Sequence, residues 1–115
     1  MNEKETLESF LDAWRMKDTK EILKYCQKTW VRERKDKKAF FNTTLFNINV
    51  VSYDIQEQVP FSENVVDIDF ELTLSFDGDE TTSTHIARLI KESAPYHPDK
   101  AGRWGVNPVS IQRTK

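Results

Sequence analysis

The chain has little of what cross-links, breaks or anchors a polypeptide. One cysteine in 115 residues, Cys26, rules out an internal disulfide and a cysteine-rich zinc site. Three glycines and four prolines are too few for a low-complexity or collagen-like chain. No apolar run approaches the ~20 residues that a membrane-spanning helix needs. The opening Met1-Asn2-Glu3-Lys4-Glu5 is acidic and lacks the apolar core of a secretory signal. No Gly-rich phosphate loop, nucleophile elbow or His/Cys metal cluster is present. These absences predict a cytoplasmic chain that needs no membrane, metal or cofactor.

Aromatic residues are plentiful, with three Trp, three Tyr and seven Phe, and they recur with a clear period. With a net charge of only −2, that pattern argues against disorder. The length suits one domain over residues 1–115. Near-neutrality conceals strong asymmetry: residues 1–14 carry −3, 15–38 carry +6, 39–92 carry −8 and 93–115 carry +3. Such blocks steer partners or favour self-association.

The first third has helical period. Asn2 with Glu5 forms a capping-box pattern, followed by Leu7, Phe10, Leu11 and Trp14 on one stripe. Asp18 with Glu21 repeats the signal, and Ile22, Leu23, Cys26 and Trp30 follow at helical spacing. A third, shorter helix is expected over 33–42. From Leu45 the period falls to 2. Over 45–58 the apolar parity switches at Val50-Val51, which predicts a bulge. Pro60 to Asn64 reads as a loop. Residues 65–76 alternate Val66, Ile68, Phe70, Leu72, Leu74 and Phe76 with Asp67, Asp69, Glu71, Thr73 and Ser75. Asp77-Gly78-Asp79-Glu80 supplies hairpin chemistry into a strand over 81–92. A loop from Ala94 to Gly102 leads to a last strand around Arg103–Ile111, which Pro108 must bulge or place at an edge. Helices first and strands after predict an α+β fold: two to three N-terminal helices packed on a four-stranded antiparallel sheet.

Phe10-Leu-Asp-Ala-Trp14, the segment Tyr25-Cys26-Gln27-Lys28-Thr29-Trp30 and the bent four-stranded meander resemble the nuclear-transport-factor-2-like superfamily. Ala87-Arg-Leu-Ile90 and Trp104-Gly-Val-Asn-Pro108 resemble its small uncharacterised bacterial or phage-borne members. The resemblance covers nearly the whole chain and rests on element order. It implies a strongly bent, cone-shaped cystatin-like sheet around a long helix, and often a homodimer. Relatives include steroid isomerases, dehydratase-like and polyketide-cyclase-like enzymes, and non-enzymatic binding or assembly modules, so membership does not fix an activity.

An even-length loop in the 76–81 hairpin would place His85, Ala87 and Leu89 beside Leu72, Phe70 and Ile68. Arg88 would then lie with Asp67, Asp69 and Glu71 on the opposite face. His85, on a concave apolar face, is where an acid–base residue of an enzymatic relative would sit. The competing reading, a core-edge histidine bonded to a backbone carbonyl, is favoured because one histidine makes neither a dyad nor a metal site. Steroid-isomerase-like relatives pair a carboxylate base with a Tyr-led oxyanion hole. This chain offers Tyr25 and Tyr53, but its strand acids face away. Asp67, Asp69 and Glu71, even with Glu57 or Asp79, are spaced too widely along a strand for one cation. Cys26 fits a small buried hydrophobe, with no histidine paired to it.

The expected function is therefore a non-enzymatic small-ligand-binding or protein-assembly domain, the alternative being a small lyase or isomerase using His85. The ligand pocket is expected from Tyr25, Trp30, Phe70, Leu72, His85 and Trp104, with Tyr53 on its rim, and would suit a small apolar ligand. Asp69, Ile86, Arg88 and Ile90 are the expected homodimer surface, where apolar residues mix with both signs of charge. Lys17, Lys20, Lys24, Lys28 and the run from Arg32 to Lys38 form a basic edge. Glu21, Glu33 and Asp36 dilute it, and a pI near 5.7 argues against nucleic-acid binding.

Overall fold

Helix α1 (Glu3–Arg15) begins and ends on local signals in the computed structural model, which describes residues 1–112. The Asn2 side chain accepts from the Glu5 amide at 2.8 Å while Glu5 accepts from the Asn2 amide at 2.9 Å, closing the capping box. At the other end Lys17 sits at φ 55°, and the Lys17 and Asp18 amides donate back to Trp14 and Ala13. That is a Schellman turn with lysine in the place glycine usually takes. Leu7, Phe10, Leu11 and Trp14 are buried along one stripe. No helix among the described residues is long and apolar enough to cross a membrane.

The expected second helix is two. α2 (Thr19–Leu23) is capped by Asp18, whose side chain accepts from the Glu21 amide, and the chain then breaks before α3 (Lys28–Glu33). The break has a distant cause: the Gln27 amide donates to Val106 and the Val106 amide to Tyr25, making a short parallel bridge. Backbone groups committed to that bridge cannot continue a helical ladder. The helix expected over 33–42 is α4 (Lys37–Thr44), so four helices precede the sheet rather than two or three.

The strands are β1 (Asn49–Ser62), β2 (Val65–Phe76), β3 (Asp79–Ala94), β4 (His97–Pro98) and β5 (Arg103–Val106), all antiparallel. β1 starts later than expected because Leu45–Ile48 turns out of α4. It also runs through Pro60, which an edge strand tolerates because a proline there costs no ladder bond on the solvent side. The register shift between Val50 and Ser52 is the bulge at the parity switch: Val50 faces Leu74, then Tyr53 faces Leu72 and Ile55 faces Phe70. β2 and β3 pair without a slip around Asp77-Gly78, whose φ of 54° and 87° are those of a two-residue type I′ turn.

The expected four strands are five, since His97–Pro98 adds a short rung inside what reads as a loop. The last strand stops at Val106, and Pro108 opens a 3-10 helix (Pro108–Gln112) instead of bulging a strand. Proline suits a first helical turn, where no amide is needed. The sheet order is β1-β2-β3 with β4 and β5 on the far edge of β3, so the sheet stays open and uncurled where a cone was expected. Its inner face carries Ile68, Phe70, Leu72, Ala87 and Leu89, all wholly buried in one core with α1 and the α4 phenylalanines.

Candidate functional site

Phe70, Leu72 and His85 lie together on the inner face. Phe70 faces His85 across the ladder, with their rings stacked at 5.7 Å. Both ring nitrogens of His85 are engaged: Nδ1 is 3.0 Å from the Ile111 carbonyl and Nε2 is 2.7 Å from Ser83 Oγ. A carbonyl only accepts, so Nδ1 carries a proton, and Nε2 is occupied by the Ser83 hydroxyl, which can donate or accept. The histidine thus ties the 3-10 helix to β3. Asp67, Asp69 and Glu71 fall on the outer side of the observed register, away from His85, and Asp79 lies at the far hairpin end opposite Phe76.

The other expected pocket residues are dispersed. Trp30 is buried edge-on among Phe40 and Phe41, at 5.2 and 5.5 Å. Tyr25 donates to Glu21 at 3.2 Å and borders an acidic groove with Ser9, Asp12, Met16 and Asp18. Trp104 lies beneath Lys91, 5.6 Å from its ammonium, beside Pro60, Val65 and Val66. Tyr53 donates to Asp12 at 2.8 Å, and burial followed by that bond pushes its phenol up to about 12. Cys26 is wholly buried, donates to the Ile22 carbonyl, and burial pushes its thiol well up, which makes it a poor nucleophile.

On the outer face, Arg88 makes a two-pronged pair with Asp67 at 2.9 and 3.0 Å and stacks over Phe61 at 4.5 Å. Asp69 is buried within the single chain, while Ile86 and Ile90 are half-buried. Among the described residues no group of three or more His, Cys, Asp or Glu is placed to hold a metal ion.

A different site assembles where the basic segment meets β5. Leu23, Lys28, Val31, Arg32, Pro95 and Arg103 line a groove of about 300 Å³. Lys28, Val31 and Arg32 share one face of α3 by their i, i+3, i+4 spacing. Arg103 is set by backbone carbonyls: it donates to Lys24 and, at 3.4 Å, to Cys26. Gly105 allows this approach, since a Cβ there would lie 2.6 Å from the Gln27 Cα and 2.7 Å from the Cys26 oxygen.

A buried carboxylate fixes the opposite wall. Glu92, 2% exposed, accepts the Thr29 amide at 3.0 Å and the Thr29 hydroxyl, supplying from β3 the cap that Gln27 does not give α3. Thr29 Oγ1 in turn accepts the Tyr96 amide at 2.8 Å, and the Tyr96 hydroxyl donates to Glu33. Sequence spacing hides this group. The basic run contains Lys28 and Arg32, but nothing in it points to Arg103 or to a lone strand glutamate.

No protein-family model and no curated protein matches the chain. Among solved structures, a SEC-C motif containing protein from Psychrobacter arcticus superposes with TM-score 0.70 at 12% identity over 97% of this chain. The chain spans 62% of that protein's length. A ketosteroid isomerase-like protein from Erwinia carotovora atroseptica superposes with TM-score 0.57 at 15% identity over 92% of each chain. At such identities the likeness is one of fold alone: the chain has an α+β architecture consistent with a nuclear-transport-factor-2-like fold.

Proposed function

We propose that this chain is a non-enzymatic binding domain, with the groove between α3 and β5 as its binding surface. The observation that carries the reading is the state of His85. Its Nδ1 proton points at a carbonyl, its Nε2 is occupied by Ser83, and Asp67, Asp69 and Glu71 lie on the opposite face. Proton transfer needs a base within reach of substrate and a second group to orient it or take up charge. The groove, by contrast, presents charged and apolar side chains on walls held by hydrogen bonds between α3, β3 and β5 and the α2–α3 link. The test is incubation with a β,γ-unsaturated 3-ketosteroid while the absorbance of the conjugated enone is followed. The reading expects no acceleration over buffer; turnover that His85→Gln abolishes would overturn it in favour of an isomerase.

A second reading, assembly into a homodimer through the outer sheet face, is favoured by Phe61, which is 68% exposed beneath Arg88 and near half-buried apolar strand residues. Light scattering should then give about 27 kDa, twice the 13.5 kDa chain, with Ile90→Glu returning it to the chain mass. A wild-type mass of one chain would exclude it.

A further inference from the structure

The groove lined by Lys28, Arg32 and Arg103 joins three cations to an apolar wall of Leu23, Val31 and Pro95. None of the three cations forms a salt bridge among the described residues. The carboxylates on the flanking elements are committed elsewhere: Glu21 to Lys24, Glu33 to Tyr96, Glu92 to Thr29 and Asp99 to the Ala101 amide. Lys28 and Arg32 stand one helical turn apart, where like charges repel. Arg103 is brought against them from β5 by bonds to backbone carbonyls that orient its guanidinium, while Glu92, its cross-strand neighbour, is bonded to Thr29 instead. A groove of about 300 Å³ is at the small end of ligand sites and suits a compact molecule.

We propose that this groove binds a small organic anion, a carboxylate or phosphate carried on a compact apolar body. The anion would relieve the mutual repulsion of the three cations. Arg32 and Arg103 offer planar donor forks that match carboxylate or phosphate oxygens, and Lys28 adds a point charge. Recognition falls to these side chains because the Thr29 amide is already used by Glu92. The apolar body would lie on Leu23, Val31 and Pro95, so affinity comes from burial as well as charge. A purely inorganic ion would use half of the site.

This inference rests on the binding-domain reading but can fail separately from it. Calorimetric titration with 1-naphthoate, 1-naphthyl phosphate, the neutral 1-naphthalenemethanol, inorganic phosphate and a short oligothymidylate tests it. Both naphthyl anions should bind, the neutral alcohol and inorganic phosphate each at least about tenfold more weakly. Arg32→Gln and Lys28→Gln should each weaken the naphthyl anions by about tenfold, while Lys17→Gln, outside the groove, should not. Added salt should raise the Kd. Melting curves of the three variants check that each remains folded. Equal binding of the alcohol, no binding of either anion, or binding indifferent to Arg32→Gln and Lys28→Gln would overturn the inference. So would tighter binding of the oligothymidylate, which would assign the cations to a nucleic-acid strand. An anion bound elsewhere would leave the domain a binder, whereas enone turnover would remove that reading itself.

Discussion

The inner sheet face around His85 and the groove around Arg103 treat polar groups in opposite ways. At His85 each polar atom finds a partner inside the chain, and the ring stacks on Phe70 within a filled core. At the groove the carboxylates are paired away and the cations are left facing solvent together. Satisfied buried polar groups rigidify, whereas like charges gathered at a surface raise the free energy of the unliganded state and favour a counter-ion. His85 therefore has both ring nitrogens engaged within the chain, whereas the proposed groove is built from residues that resemble ordinary solvated surface.

The two regions should also break differently. Phe70→Ala should have the largest effect, a loss of about 3–5 kcal/mol, because Phe70 is wholly buried where β1, β2 and β3 meet the helices. Urea unfolding measures it, and a loss under about 1 kcal/mol would mean that the inner face is looser than described. Gly105→Ala should cost about 1–3 kcal/mol, since its Cβ collides with the Cys26–Gln27 backbone, and should weaken groove binding by shifting β5. Thr29→Val should cost a similar ~1–3 kcal/mol by leaving buried Glu92 without its hydroxyl donor. Binding should fall with it, because α3 loses its hold on β3; unchanged binding would detach the clamp from the site.

Ser83→Ala should cost only about 0.5–1.5 kcal/mol and leave groove binding intact, since it removes one neutral hydrogen bond on the other side of the comparison. The smallest effect is one of pH. Tyr53 is held at about 12 by burial and Asp12, above the ~10 of an unfolded tyrosine. The folded state then keeps its proton more tightly than the unfolded state. Its contribution is fully present below pH ~10 and is lost as pH rises through about 12. Asp12→Asn should narrow that alkaline window, as read by tyrosinate absorbance.

The β2–β3 hairpin was legible as two alternating strands around Asp77-Gly78, but the loop parity that decides which β3 face meets Phe70 was not: the turn has two residues, β3 starts at Asp79 rather than at 81, and Phe70 meets His85. The Val50-Val51 bulge was legible from the alternation in β1, as a change of parity. The break between α2 and α3 was not, because it is imposed by Val106, far along the chain, against a local pattern that keeps helical spacing through Trp30. Pro108 looks locally like an interruption of a strand, yet its fixed φ serves equally to start a 3-10 turn. The candidate site was the least legible part. Lys28 and Arg32 stand out only as members of a charged run, and Arg103 and Glu92 join them through register and close approach, which no local period encodes.

The most direct test of the contrast is a map of backbone amide shifts in the 15N-labelled protein as 1-naphthoate is added. Saturable shifts at Lys28, Val31, Arg32 and Arg103, with Phe70, His85 and Ala87 silent, are the predicted result. Shifts centred on Phe70 and His85, with the α3 and β5 amides unmoved, would contradict it and return the search for function to the inner face of the sheet.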